Sequence, residues 1–404
     1  MNMRDFQKKS FLIKQEIIIE DDGKKSRSNL EIILPLAVFL LAGFGVLIIY
    51  SATRYSMPEG VSDPMYYFKR QGYWLIGAAV MFILLQFMNY RSLWKFWWVF
   101  LVISALILAA VSIFGYEVNY SKSWIDLKLF SAQPSELSKI LLVLVTAAIL
   151  SKWPREKVES VSFKKVAFSL LAAIVPIVLI LLEPDYGTAL IFFATYMGML
   201  FISGANLFYF FGILAVTVGG FFTAVKTGLI KQYQLDRILV FLKPEIEKQG
   251  IGYNLFQSKL AIGSGGLWGK GLFLGKQTNL SYVPEHHTDF IFSVIGEEVG
   301  FFGAVLVIAV IAIIIWRCFH IALRAGNNFG KLIAAGIGFI ILTQSVINIG
   351  MTIGIMPVIG IPLPFVSYGG SNLLAIFLGV ALVENVYLRR ELRTDYEIAY
   401  DDFD

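Results

Sequence analysis

Charged side chains are scarce in this sequence. Asp, Glu, Lys and Arg together make up 16% of its 404 residues, whereas 57% of the residues are hydrophobic. Soluble globular domains carry roughly 25% charged residues, so this chain falls well below the usual range. The composition therefore indicates a membrane protein and argues against an ordinary soluble enzyme.

Cysteine and histidine are also rare, with a single cysteine, Cys318, and three histidines. A lone cysteine excludes a disulfide within the chain. His286 and His287 are adjacent, and we place Cys318 on the other side of the membrane, so no zinc site is predicted. No Ser-His-Asp arrangement or nucleophile elbow is visible. A cleavable signal is also not expected, because the first apolar run, from near Leu30, is too long for one.

Long hydrophobic runs are what the sequence has in abundance. A helix of about 20 apolar residues crosses the roughly 30 Å of hydrocarbon in a bilayer. Runs of this length predict an all-α polytopic membrane protein with about ten transmembrane helices, at residues 30–51, 72–88, 93–114, 135–153, 166–182, 187–203, 207–225, 290–316, 332–358 and 367–387.

Basic residues in the short loops predict the orientation of these helices. They all fall on one side if both termini are cytoplasmic, as expected when Lys and Arg remain inside. The formal charge of +5 is thus explained by topology and not by nucleic-acid binding. The basic residues concerned are Arg91, Lys95, Lys152, Arg155, Lys157, Lys164, Lys165, Arg317, Arg324, Lys331, Arg389, Arg390 and Arg393.

This topology divides the chain into three parts. We expect a cytoplasmic N-terminal tail at residues 1–29, a membrane domain at 30–390 and a cytoplasmic C-terminal tail at 391–404. The long segment at 226–289, between the seventh and eighth predicted helices, is expected to be an extracytoplasmic loop. It carries many basic residues, but long loops obey the charge rule weakly.

The most informative stretch ends this loop. Residues 282–293 (YVPEHHTDFIFS) lead from polar sequence into the next hydrophobic run and leave the carboxylate of Asp289 at a water–membrane boundary. An acidic residue at that depth is costly and usually pairs or acts chemically. The alternative is a residue stabilised only by the dipole of the helix that follows. We interpret Asp289 as the candidate catalytic residue.

A second motif, Gln133-Pro134-Ser135-Glu136-Leu137-Ser138-Lys139, opens the fourth predicted span. Proline suits the first turn of a helix. Glu136 and Lys139 are three residues apart, so they lie on one face of that helix. Opposite charges within a membrane pair with each other or face a polar cavity. The motif is thus either a structural ion pair or a cavity wall that contacts an anionic headgroup.

Two motifs interrupt the apolar runs. Glu183-Pro184-Asp185-Tyr186-Gly187-Thr188 separates the fifth and sixth spans, and its carboxylates either bind a cation or shape a hairpin. Non-helical backbone at membrane depth is tolerated where it lines a cavity. A second excursion of this kind is predicted before the last span, with the residues Asn348, Pro357, Gly360, Pro362, Pro364, Ser367, Tyr368, Gly369, Gly370 and Ser371.

The 226–289 segment contains further candidates. Tyr253 and Gln257 are four residues apart, which indicates a short interfacial helix. Arg237 and Lys259 would suit a pyrophosphate, or would form a solvated face. The Gly-rich run 263–271 is interpreted as a flexible turn, with a phosphate cradle as the alternative, because it lacks the strand–helix context of a P-loop.

Together these motifs resemble the SEDS family (shape, elongation, division and sporulation) of bacterial cell-wall proteins. The resemblance covers about residues 30–390, and its most specific parts are 133–139, 284–292 and 362–371. The stretches 348–351 and 361–364 are more similar to the rod-shape branch of the family than to the division branch.

The resemblance implies a peptidoglycan glycosyltransferase in the bacterial cytoplasmic membrane that acts in cell-wall elongation. It implies polymerisation of lipid II, an undecaprenyl-pyrophosphate-linked disaccharide-pentapeptide, by inverting hexosyl transfer with release of undecaprenyl pyrophosphate. A class B penicillin-binding protein and membrane lipid are the implied partners. Two alternatives remain: a lipid II flippase, since broken helices also serve transport, and a non-catalytic scaffold for the penicillin-binding protein.

The resemblance also implies roles for residues. Asp289 would be the general base, a role worth roughly 10²–10⁴ in rate, with Glu136 and Lys139 completing the catalytic set. A divalent cation, Mg²⁺ or Mn²⁺, fits a pyrophosphate leaving group, with protein ligands unknown, and no organic cofactor is expected. The expected substrate-binding residues are Gln133, Ser135, Glu183, Asp185, Arg237, Gln257, Lys259, Ser367, Tyr368 and Ser371.

Overall fold

The computed structural model describes most of the predicted membrane domain. The described residues are 31–55, 61–118, 121–126, 130–151, 161–228, 234, 237, 239–241, 250–280 and 282–390. Both predicted cytoplasmic tails, 1–29 and 391–404, lie outside these residues, as does part of the predicted 226–289 loop.

From Ile33 onward the described chain is mainly helical, because a helix satisfies its own backbone hydrogen bonds where water is absent. A 3₁₀ helix at Tyr90–Phe96 precedes α3. The α-helices are α1 (Ile33–Thr53), α2 (Tyr66–Phe87), α3 (Trp97–Phe114), α4 (Pro134–Leu150), α5 (Phe163–Leu182), α6 (Tyr186–Ile202), α7 (Leu207–Lys226), α8 (Ile251–Gly265), α9 (Lys276–Asn279), α10 (Ile291–Glu298), α11 (Gly300–Leu323), α12 (Asn328–Ile353) and α13 (Gly370–Leu388).

The predicted spans agree well with these helices. Among the described residues, seven helices are long and apolar enough to cross a membrane, namely α1, the 3₁₀ helix continued by α3, α5, α7, α11, α12 and α13. Helices α2, α4 and α6 coincide with the other predicted spans but are shorter or less apolar. The prediction of a polytopic helical membrane protein is confirmed in this coarser form.

Burial varies strongly among the long helices. In an 18-residue apolar stretch of each helix, 72% of the residues of α12 and 78% of those of α13 are buried, whereas 0% of those of α7 are. Helices α4, α6, α12 and α13 therefore surround the core, and α7 lies at the periphery, in contact with α6. Motifs at the ends of the central helices are held by this packed core.

A small sheet, which the all-α prediction missed, connects α3 to α4. Its strands are β1 (Tyr116–Val118), β2 (Ser121–Asp126) and β3 (Ser131–Ala132), and β2 pairs antiparallel with both neighbours. The Ser121 hydroxyl donates to the Glu183 carbonyl oxygen at 2.9 Å. This bond ties the sheet to the α5–α6 junction.

The prediction of one continuous helix at 290–316 is wrong. The chain forms two helices there, α10 and α11, and the break lies at Gly300, whose φ is 72°. A positive φ is readily adopted by glycine and strained for most other residues. The second helix then continues to Leu323, beyond the predicted end.

The Gly-rich run 263–271 explains why this break is stable. The amides of Phe301 and Phe302 donate to the carbonyl oxygens of Gly266 and Leu267 at 2.9 and 3.1 Å. In return, the amides of residues 270 and 271 donate to the carbonyl oxygens of residues 297 and 298, both at 3.0 Å. Groups that helix ends leave unpaired are thus satisfied. The amides of residues 270 and 271 are used in this junction, which argues against both the flexible turn and the phosphate cradle.

Candidate functional site

Asp289 lies just before α10, and three charged groups surround it. Arg237 attracts its carboxylate electrostatically, whereas Glu285 and Asp185 repel it. The segment before α13 also passes close by, because a Cβ at Gly360 would lie 3.1 Å from Asp289 Oδ2. Asp289, Arg237 and Asp185, which are far apart in the sequence, are thus brought together.

This environment changes the acidity of Asp289. Burial, followed by repulsion from Glu285 and Asp185, raises its pKa to about 7, and the attraction of Arg237 opposes the rise. A general base works best when its pKa lies near the working pH. At neutral pH Asp289 can therefore both accept and release a proton.

Arg237 connects this carboxylate to the excursion before α13. Its guanidinium donates to the Ile359 carbonyl oxygen at 3.3 Å. Its charge also favours the ionised form of Asp289. A guanidinium in this place could also meet an anionic group of a ligand bound at Asp289.

Ser367 and Tyr368 lie at the site, but their contacts are with protein groups. The Ser367 hydroxyl donates to the Thr288 carbonyl oxygen at 2.6 Å. The Tyr368 amide donates to the His287 carbonyl oxygen at 2.9 Å, and its ring lies 4.9 Å from that of Tyr67. Both residues therefore hold the segment that carries Asp289, whatever they contribute to a substrate.

Gln133 links the start of α4 to two other predicted residues. Its backbone amide donates to Ser371 Oγ at 3.2 Å, and its side-chain Nε2 lies 3.5 Å from Asp185 Oδ2. Asp185 also caps α6 by accepting from the Thr188 amide at 3.0 Å and from its hydroxyl at 2.8 Å. Asp185 thus shapes the hairpin and still borders the candidate site.

Glu136 and Lys139 form a buried ion pair within α4. Lys139 Nζ lies 2.9 and 2.8 Å from the two carboxylate oxygens of Glu136, and Lys139 and Glu136 are 1% and 3% exposed. This supports the structural alternative, since each charge has its partner. No contact between this pair and Asp289 is seen among the described residues. Ser135, also fully buried, lies beside the pair on the same turn.

Glu183 is a second carboxyl with unusual acidity. It is buried at the α5–α6 junction, and burial, followed by the charge of Asp185, raises its pKa from the ordinary 4.5 to about 8. Glu183 therefore carries a proton at neutral pH. Within the part of the chain that the structure describes, no group of three or more His, Cys, Asp or Glu residues is placed to hold a metal ion.

Lys259, one of the two α8 candidates, lies against the end of α12. A Cβ at Gly354 would lie 2.5 Å from Lys259 Nζ, so this ammonium rests on the residue that ends α12. A cation there stabilises the C-terminal end of a helix. Gln257 occupies the same helix, and its side chain forms no hydrogen bond to any described residue of the cluster.

Sequence reasoning assigned no role in the site to several residues that organise it. Asn348 donates to the Asp289 carbonyl oxygen at 2.8 Å, and Gln71 Nε2 donates to the Ser367 carbonyl oxygen at 3.3 Å. Glu298 accepts from the Ser51 hydroxyl at 2.6 Å at the end of α10. The adjacent acidic residues at 297 and 298 in an apolar run were the available signal.

Comparison with known proteins identifies the family. The family described as cell cycle protein, FtsW/RodA/SpoVE, matches residues 32–392. Peptidoglycan glycosyltransferase MrdB of Escherichia coli K12 is 34% identical over 358 residues, which cover 88% of this chain and 93% of MrdB.

Solved structures give the same result. A chain from a peptidoglycan synthase complex that coordinates polymerization and crosslinking aligns with a TM-score of 0.72 and 28% identity, covering 88% of this chain and 97% of its own length. RodA, the rod shape determining protein of Thermus thermophilus, aligns with a TM-score of 0.63 and 27% identity, covering 89% of this chain and 96% of RodA. The chain therefore belongs to the FtsW/RodA/SpoVE family, the SEDS family to which its motifs pointed.

Proposed function

We propose that this protein is a peptidoglycan glycosyltransferase that polymerises lipid II, with Asp289 as its general base. The observation that carries the proposal is the environment of Asp289, which combines a pKa of about 7 with the neighbouring guanidinium of Arg237. Family relatives such as MrdB are named peptidoglycan glycosyltransferases, which supports the same activity here.

In the proposed reaction a sugar hydroxyl of one lipid-linked chain attacks the anomeric carbon of another. Asp289 accepts the hydroxyl proton as the new carbon–oxygen bond forms. The bond between the anomeric carbon and the pyrophosphate oxygen breaks, and undecaprenyl pyrophosphate leaves with the electron pair. Direct displacement inverts the anomeric centre and requires no covalent intermediate on the enzyme.

The leaving pyrophosphate needs positive charge. Arg237 is the best-placed side chain for this, because it lies beside Asp289 and carries a guanidinium that suits phosphate oxygens. Lys139 is paired with Glu136, so we assign that pair to the support of α4 and of Gln133. A divalent cation held by the phosphate oxygens, Mg²⁺ or Mn²⁺, would add charge without dedicated protein ligands.

The membrane arrangement follows from the same proposal. We assign ten transmembrane helices to the chain, with both termini cytoplasmic and the 226–289 segment outside, because the basic short loops then face the cytoplasm. Asp289 is then on the outer side, where glycan is polymerised. The alignment with a synthase complex that also crosslinks supports a class B penicillin-binding protein as partner and rod-shape elongation as the process.

The test is glycan formation from lipid II by the purified protein, alone and with its partner. We expect Asp289→Asn to abolish polymerisation, whereas Asp63→Asn, which removes an exposed carboxylate paired with Lys69, leaves it intact. Chelation with EDTA tests the divalent cation. A fully active Asp289→Asn enzyme would overturn the mechanism, and lipid II translocation in vesicles without glycan formation would favour a flippase.

A further inference from the structure

We propose that Asn348 and Ser367 are positioning residues that fix the Asp289 carboxylate by holding the peptide backbone on which it is mounted. This inference rests on the proposed function, because it assumes that Asp289 reacts. This role requires no contact between either side chain and the substrate.

The first support is a row of three consecutive backbone contacts. The carbonyl oxygens of residues 287, 288 and 289 each accept a hydrogen bond from a different group. The donors are the Tyr368 amide at 2.9 Å, the Ser367 hydroxyl at 2.6 Å and Asn348 Nδ2 at 2.8 Å. A backbone held at three successive residues has little freedom to rotate, so the side chain of Asp289 is aimed in one direction.

Asn348 uses both hydrogens of its amide in this arrangement. It is 0% exposed, and Nδ2 donates to the carbonyl oxygen of Asp289 and, at 2.7 Å, to that of Ile361. Two carbonyl acceptors require a donor, so the amide nitrogen must point toward them. Asn348 therefore joins the segment of Asp289 to the excursion before α13, and α12 supplies a rigid base.

Ser367 makes a second bridge between the same two segments. Its hydroxyl donates to the Thr288 carbonyl oxygen and accepts from the Leu363 amide at 2.8 Å. Ser367 is 2% exposed, so water cannot easily replace these bonds. The single hydroxyl therefore both closes the turn at 363–367 and holds the residue before Asp289.

Backbone strain on both sides of the bridge indicates a constrained site. Glu285 and Phe365 are non-glycine residues with positive φ angles of 53° and 67°. Such conformations persist only when surrounding contacts enforce them, and they cluster at functional sites. Phe365 is buried against Gly45 of α1, where an added Cβ would lie 2.8 Å from its carbonyl oxygen.

His286 anchors the segment that carries Asp289 to the same helix, α1. Its Nε2 lies 2.7 Å from the Ala52 carbonyl oxygen in the last turn of α1, and its Nδ1 lies 2.7 Å from that of Val283. Helix α1 thus supports both the segment of Asp289 and the segment of Phe365. The side chains of Asn348 and Ser367 connect these two segments to each other.

The experiment measures lipid II polymerisation, thermal unfolding and pH dependence for Ser367→Ala, Ser367→Thr and Asn348→Asp. We expect Ser367→Ala and Asn348→Asp to lower kcat about 10- to 100-fold with little change in KM, because small misplacements of a reacting group are costly. Ser367→Thr keeps the hydroxyl and should recover most of kcat. In Ser367→Ala the freed carboxylate should reach water, so the acid limb of its rate profile should move to lower pH. Asn348→Asp adds a negative charge near Asp289, which opposes this movement, so its test is kcat alone.

Ser345→Ala is the matched control, since Ser345 lies one turn from Asn348 on α12 and its buried hydroxyl has no hydrogen-bond partner among the described residues. Ser345→Ala should have the same kcat as the wild-type protein. Wild-type kcat in Ser367→Ala and Asn348→Asp would overturn the inference. So would a loss of kcat that merely follows the unfolded fraction, together with an unmoved acid limb in Ser367→Ala. Activity in Asp289→Asn would instead refute the proposed function.

Discussion

Gly300 and Gly269 meet backbone to backbone, and a Cβ on Gly300 would lie 2.2 Å from the Gly269 nitrogen. This close contact lets the Gly-rich run pack against the junction of α10 and α11. Helix α10 follows the Asp289 segment at its start and carries this junction at its end. The Gly-rich run therefore supports the helix that follows the candidate site.

Gly300→Ala tests this contact. The substitution adds a Cβ where there is no space and places alanine at a φ of 72°. We expect a loss of stability of at least about 2 kcal/mol, since a left-handed non-glycine residue alone costs about 1–3 kcal/mol. Thermal unfolding of the purified protein in detergent measures the effect.

Gly212→Ala provides the control for that measurement. Gly212 lies within α7, and a Cβ added there would meet nothing within 4 Å. Alanine should there be neutral or stabilise the helix by about 0.5–1 kcal/mol. Equal melting temperatures for Gly300→Ala and Gly212→Ala would show that the junction does not need a glycine.

The helices were predictable because hydropathy is a local property. Each predicted span has a described helix along most of its length, and the helix from Tyr253 to Gln257 exists as part of α8. The break at Gly300 was not predictable in the same way. It depends on hydrogen bonds to residues about 35 positions earlier, which no window of sequence contains.

The site shows the same division. The position of Asp289 at a polar–apolar boundary marked it as a candidate, whereas its proximity to Arg237 and Asp185 is a property of the folded chain. The placement of Lys259 against the end of α12 came from helix packing, which spacing does not reveal. Asn348 was noticed in its motif, but its two carbonyl acceptors became visible only in three dimensions.

Lys139→Ala separates support from catalysis in α4. It leaves Glu136 buried without its partner, and breaking a buried ion pair from one side costs about 3–5 kcal/mol. We expect a large fall in the melting temperature. Replacing both residues, with Glu136→Gln and Lys139→Met, should recover much of the stability because no unpaired charge remains.

The polymerisation rate of that double variant distinguishes the two roles. If the pair only supports α4, activity should return together with stability. A stable double variant without activity would show that Glu136 or Lys139 acts directly in the reaction, and our assignment of the pair to support would then be wrong.

Glu183→Gln should alter the pH dependence of stability. The pKa of Glu183 is raised from 4.5 to about 8 in the folded protein, so the unfolded chain loses this proton first. Between these values stability falls as pH rises, on the order of 1 kcal/mol per pH unit. Glutamine removes this contribution. The melting temperature of the variant should therefore rise relative to that of the wild type from about pH 5 to pH 8. A difference that does not change with pH would contradict this prediction.

Glu285→Gln and Arg237→Gln should move the pH profile of polymerisation in opposite directions. A general base must be deprotonated, so the rate should fall as pH drops through the pKa of Asp289, about 7. Glu285 raises that pKa, so its removal should shift the acid limb to lower pH. Arg237 lowers the pKa of Asp289, so removing Arg237 should shift the acid limb to higher pH and slow the reaction at neutral pH.

The measurement is kcat/KM for lipid II from about pH 5.5 to pH 9, which reports ionisation in the free enzyme. Lys259→Gln is the matched control for Arg237→Gln, because it removes a cation that rests on α12. Its limb should stay at the wild-type position. Shifts of the same sign in Glu285→Gln and Arg237→Gln would mean that a group other than Asp289 governs the acid limb, since their charges act on this carboxylate with opposite signs.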